Sequence, residues 1–168
     1  MEEALAHPYP MIRTGGAIIL GAGVGWMLGL LAPGRRHILA GAGFALGVIV
    51  GMFLQAPTGT PSPLEVGALI GAIVLEAALI VYVINKVADE RERILWILFC
   101  VGLHFLPMGL SFGPTMVALG LINMAGAWYG LRIARTAPVE AIGATDFAAK
   151  IAAGALMVFA APRWTFGI

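Results

Sequence analysis

Charged residues are scarce in this chain: Asp, Glu, Lys and Arg make up only 11% of its 168 residues. A soluble domain carries about 25%, so an ordinary water-facing surface is excluded. The few charges nearly cancel, to a formal +1, which leaves no basic face for nucleic acid and no acidic one for cations. Cysteine is limited to Cys100, so an internal disulfide and any Cys-based metal cluster are ruled out. No GxxxxGK[ST] loop or dinucleotide fingerprint is present, and no cofactor is expected. The start, MEEALAHPYPMIR, lacks the basic region and small-residue cleavage site of a secretory signal. The first apolar segment is therefore expected to stay in the mature protein.

What the chain has in abundance is apolar sequence: 60% of residues are hydrophobic and the mean hydropathy is +0.94. Six apolar segments can be drawn, over residues 12–32, 36–54, 64–87, 94–112, 114–134 and 146–162. Each approaches the ~20 residues that cross a bilayer's hydrocarbon core. The connections are short, so the expectation is one all-α transmembrane domain, a six-helix bundle in which sequence neighbours run antiparallel. Lys and Arg fall in the odd-numbered loops (Arg35 and Arg36; Lys86, Arg91 and Arg93; Arg132 and Arg135), whereas QAPTGTPSP and LSFGP carry none. The positive-inside rule then makes loops one, three and five cytoplasmic and puts both termini on the opposite side of a cytoplasmic (inner) membrane. Arg13 and Arg163 oppose this weakly. The mixed run ADERER in the third loop reads as a solvated helix end, and the prolines of the second loop as an extended outside turn.

Glycine is plentiful too, with 23 copies. Gly21, Gly25 and Gly29 form one GxxxGxxxG row in the first segment, and Gly43, Gly47 and Gly51 form another in the second. Residues four apart share a helix face, and a flat glycine face lets backbones approach closely in lipid. These rows are expected to pack helix on helix within the chain, or against a second copy or a larger membrane complex. Gly67/Gly71 and Gly126/Gly130 repeat the spacing in the third and fifth segments.

Against this background the polar residues inside the segments stand out. Glu76 lies near the middle of the third, His104 of the fourth and Asn123 of the fifth. Three residues beyond His104, Pro107 has no N–H to give the Leu103 carbonyl, so a helix break is expected beside the imidazole. Lipid would reject each of these groups singly, so Glu76, His104 and Asn123 are expected to meet in the bundle interior as a substrate- or ion-binding level. A Glu–His pair titrates as a unit and could carry a proton, bind a cation or hold a polar substrate group. Asp146 and Lys150, one helical turn apart at the start of the last segment, read as an ordinary pair with a snorkelling ammonium.

Two apparent motifs do not hold up. Gly109–Gly113 matches GxSxG, but that motif needs a strand–turn–helix elbow, and no histidine follows Ser111. His7, His37 and His104 fall outside, at the cytoplasmic face and mid-membrane, so they cannot share a metal or a haem. In size and helix number the chain is similar to the substrate-binding membrane subunits of energy-coupling vitamin transporters, a likeness of architecture that carries over no residue. The expected function is a small transporter, channel or substrate-binding membrane subunit for a small solute or ion, proton-linked through the mid-membrane site. The alternatives are an accessory or scaffold subunit, and a membrane-embedded enzyme acting on a lipid or isoprenoid with Glu76 and His104 as acid and base.

Overall fold

A computed structural model describes residues 9–54 and 61–160, which form six α-helices with no strand among the described residues. They are α1 (Ile12–Leu31), α2 (Arg36–Leu54, entered by a 3-10 turn at Pro33–Arg35), α3 (Pro63–Lys86), α4 (Glu90–Phe112), α5 (Pro114–Arg132) and α6 (Val139–Ala155). A turn of π-helix, Leu156–Ala160, extends α6. His7, Arg163, Trp164 and most of the proline-rich second loop lie outside the described residues. Five helices are long and apolar enough to cross a membrane; α5 is the exception. Its 19 residues include Asn123, Arg132 and three glycines, which lower its hydropathy below that of its neighbours.

The helix ends follow from local chemistry. Ser62 and Glu65 form a reciprocal capping box at the start of α3, with Pro63 in the first turn. Asp89 caps α4 by accepting from the Glu92 N–H at 2.8 Å. Between α4 and α5 the chain reverses at Gly113, whose φ of +89° suits glycine alone and whose Cα faces the Tyr9 ring. Arg91, expected in a solvated helix end, instead donates to the carbonyls of Gly130 (3.2 Å), Ala134 (2.8 Å) and Ala137 (3.3 Å). One guanidinium thus ties the last turn of α5 and the connection that follows it to the start of α4.

Packing orders the helices as α2–α1–α6–α5–α4–α3, with α2 resting chiefly on α1 and α3 chiefly on α4. Glycine makes the closest crossings. A Cβ on Gly25 would lie 2.5 Å from the Leu39 carbonyl oxygen, and one on Gly47 would lie 2.6 Å from that of Ala17. Gly21 and Gly43 face each other's carbonyls, and Gly51 meets Thr14. Gly29 meets only Arg36, at the helix end. Both glycine rows therefore serve the α1–α2 contact inside the chain. Two further crossings join Gly16 with Gly154 (α1–α6) and Gly102 with Gly120 (α4–α5). Gly67, Gly71 and Gly126 face nothing within 4 Å, so the α3 row does not form the helix contact that its spacing suggests.

Candidate functional site: a polar wall in a large cavity

α3 and α4 bring Glu76 and His104 together, with His104 Nδ1 3.6 Å from Glu76 Oε1. Consecutive antiparallel apolar helices of similar length place their midpoints side by side, and here the two midpoints carry the acid and the imidazole. The imidazole is buried and lies against the Phe105 ring, 4.3 Å between centroids. Glu76 is less enclosed, because its carboxylate opens onto a cavity of about 950 Å³ bounded by α1, α2, α3, α4 and α6, with Met116 of α5 at one point of its wall. Trp26, Phe44, Ile73, Val101 and Phe147 are among its apolar walls. Trp26 stacks on Phe147 at 5.5 Å, and His37 meets Trp26 edge-on at 5.9 Å. Arg36, His37, Glu90 and Glu140, all in the first turns of α2, α4 and α6, lie along its rim.

Asn123 does not join this pair. It is buried on α5 and lines a separate, small space facing α6 rather than the large cavity. A shared depth along the bundle does not fix direction around a helix, and α5 turns this face to Asp146 of α6. Its stripe of Met116, Gly120, Asn123, Ala127 and Gly130 is buried throughout.

Asp146 and Lys150, expected as an ordinary pair at the start of the last segment, also reach the cavity. Neither snorkels. They are 6% and 7% exposed, hydrogen-bonded to each other across one turn of α6, and both line the large cavity. The ammonium is within electrostatic reach of Glu76 and His104 and sits about 6 Å from the rings of Phe105 and Phe147. The reason is the start of α6. The helix begins at Val139, seven residues before the expected 146, so Asp146 and Lys150 fall in mid-helix instead of in its first turn. Pro138 and Glu140 signal that start: proline suits the entry to a helix and an acid suits its first turn.

Pro107 does not end its helix. α4 runs unbroken from Glu90 to Phe112 with the proline inside it, since a single proline forfeits one helical hydrogen bond and later ones resume. Ser111 is fully buried, and its hydroxyl donates to the Glu65 carbonyl at 2.6 Å, which pins the start of α3 to the end of α4. Among the described residues no cluster of His, Cys, Asp and Glu has the arrangement of a metal site.

The arrangement is therefore four ionisable side chains from three helices, two as a fixed ion pair and two as a titratable pair, along the wall of a mainly apolar cavity. No curated protein and no solved structure matches the chain. Over residues 4–166 it matches a family described as a family of unknown function, DUF6609, and it belongs to that family.

Proposed function

We propose that this chain is an integral membrane protein that binds a small solute with an apolar body and a polar group, and acts as a proton-linked transporter or as the substrate-binding subunit of one. In this reading all six helices cross the cytoplasmic membrane, each antiparallel to its sequence neighbours. α5 is included because its 19 residues extend about 28 Å and both its neighbours span. The lysines and arginines of the first, third and fifth loops keep those loops cytoplasmic, with both termini opposite.

The observation that carries the proposal is the shared cavity wall of Glu76, His104, Asp146 and Lys150. Ionisable groups inside a membrane are expensive and cluster on substrate and ion pathways. A cavity near 950 Å³ is at the upper end of the ~300–1,000 Å³ usual for small-molecule sites. A scaffold role would favour a dry, fully paired cluster, whereas here Glu76 and His104 stand 3.6 Å apart, beyond hydrogen-bond distance, and Glu76 faces open space. The aromatic and aliphatic walls favour a solute with an apolar body, and the Glu76–His104 pair offers it one polar contact and one exchangeable proton.

The test is a thermal-shift screen of small amphiphilic amines, alcohols and carboxylates against the purified chain at pH 5.5 and 7.5, with Glu76→Gln in parallel. Hits are then followed by flux into liposomes. The expected result is a class of compounds that stabilises wild type in a pH-dependent way and loses that effect in Glu76→Gln. Ligands that stabilise both proteins equally at both pH values would place the binding site elsewhere. Equal flux in wild type and Glu76→Gln would remove the proton linkage.

A further inference from the structure

Three buried polar atoms, two on Asn123 and one on Asp146, border a second, much smaller space. Between α4, α5 and α6, a gap of about 20 Å³ is lined by Leu98, Asn123, Ala127, Ile142, Thr145 and Asp146, among others. Asn123 and Asp146 are only 3% and 6% exposed. Both polar atoms of the Asn123 carboxamide and Oδ1 of Asp146 find no hydrogen-bond partner in the protein, while the other Asp146 oxygen is held by Lys150. Unmade hydrogen bonds on groups buried this deeply are costly, and one small polar guest in the gap would relieve two of the three.

We propose that the gap is a binding site for one water molecule that bridges Asn123 on α5 to Asp146 on α6. A water needs roughly 10–15 Å³ of this kind of space and 2–4 polar partners, and the gap supplies both. The water accepts from the Asn123 amide and donates to Asp146 Oδ1. Its second hydrogen can go to the Thr145 hydroxyl, which donates its own hydrogen to the Ile142 carbonyl at 2.7 Å and keeps its lone pairs free. A sodium ion is the competing occupant, since Asp, Asn and Thr oxygens are suitable ligands. Charge decides against it. Lys150 already neutralises Asp146, so a second cation would leave an uncompensated positive charge in an apolar interior, whereas water adds none. The bridge makes Asn123 the rear support of the cavity's ion pair rather than part of the cavity surface.

The test combines a density map of the full chain, at a resolution that shows ordered water, with thermal unfolding in NaCl and in choline chloride for wild type, Asn123→Leu and Asn123→Ala. The expected map has one peak about 2.7–3.2 Å from both Asn123 and Asp146. The melting temperature should be the same in the two salts. Asn123→Leu should lower it by about 3–8 °C by leaving Asp146 Oδ1 against carbon. Asn123→Ala leaves room for a second water and should lower it less. A direct Asn123–Asp146 hydrogen bond with no peak between them would overturn the proposal. So would a sodium-specific rise in melting temperature, or an Asn123→Leu protein at least as stable as wild type. Should Asn123→Leu fail to fold, the wild-type map, the salt comparison and Asn123→Ala decide the matter without it.

Discussion

The two flanks of the large cavity are built in opposite ways. On one, α1 is pressed against both α2 and α6 through glycines that face backbone: Gly21 and Gly25 across to α2, Gly47 of α2 back to Ala17, and Gly16 across to Gly154. On the other, α3 rests chiefly on α4, and its own glycines, Gly67 and Gly71, face nothing. The same small-xxx-small spacing is thus a seam in one place and an open stripe in the other. What makes a seam is a partner that brings its own small residue to the crossing, as Gly43 does for Gly21; α4 offers α3 no such row. The difference also divides the polar wall. Asp146 and Lys150 belong to the tightly seamed flank, while Glu76 rides on the loosely held one and reaches His104 at 3.6 Å, too long for a hydrogen bond. Motion that opens the cavity is therefore expected at α3, carrying Glu76 away from His104 while the ion pair on α6 stays in place.

The sharpest way to break this picture is to attack the ion pair on the tight flank. Lys150→Met leaves the Asp146 carboxylate buried and unpaired, which typically costs about 3–5 kcal/mol. Reversible unfolding in mixed detergent micelles should show that loss, and Asp146→Leu combined with Lys150→Met should recover most of it. If Lys150→Met unfolds like wild type, water or lipid reaches Asp146 freely and the flank is not closed.

Next in size is the seam itself. A side chain on Gly43 would be driven into the Gly21 carbonyl and to within 2.8 Å of the Gly25 Cα. Backbone cannot step aside as a flexible side chain would. Gly43→Val should therefore cost about 1–3 kcal/mol or more through overpacking, read by the same unfolding assay. A neutral outcome would mean that α2 moves off α1 easily and that both flanks are loose.

These expectations depend on how much of the arrangement the sequence discloses. The ends of α1 to α5 fall within four residues of what the apolar runs indicate, because a span must be long and apolar and its loops must be polar or glycine-rich. The start of α6 does not, because Glu140, Gly143 and Thr145 interrupt the apolar run of Val139–Thr145. Pro138 and Glu140 carry the better signal, since a helix that starts there puts Asp146 and Lys150 in mid-helix. The meeting of Glu76 and His104 was legible because depth and sequence adjacency both favour it. The partner of Asn123 was not, since depth says nothing about which neighbour a face turns towards, and the Gly102–Gly120 crossing that seats α5 on α4 lies outside any GxxxG row.

On the loose flank the effects should be small, and that smallness is the point of measuring them. Glu76→Gln removes a charge from a partly open carboxylate that makes no hydrogen bond, and stability should change by less than about 1 kcal/mol even where ligand binding is lost.

The smallest effect of all is expected for Gly71→Val. Its Cβ would meet no atom within 4 Å, so no overlap opposes the substitution, and exchanging glycine for valine in a helix relieves some backbone entropy while adding a χ1 restriction. The change in unfolding free energy should stay within about 0.5 kcal/mol, as for other exposed positions. Set beside Gly43→Val, the pair of measurements reads the asymmetry directly, because the residue, the spacing and the substitution are the same and only the neighbour differs. A large loss at Gly71 in lipid vesicles together with none in dilute detergent micelles would show that a second copy of the chain covers α3 in the bilayer, and the loose flank would then be an interface.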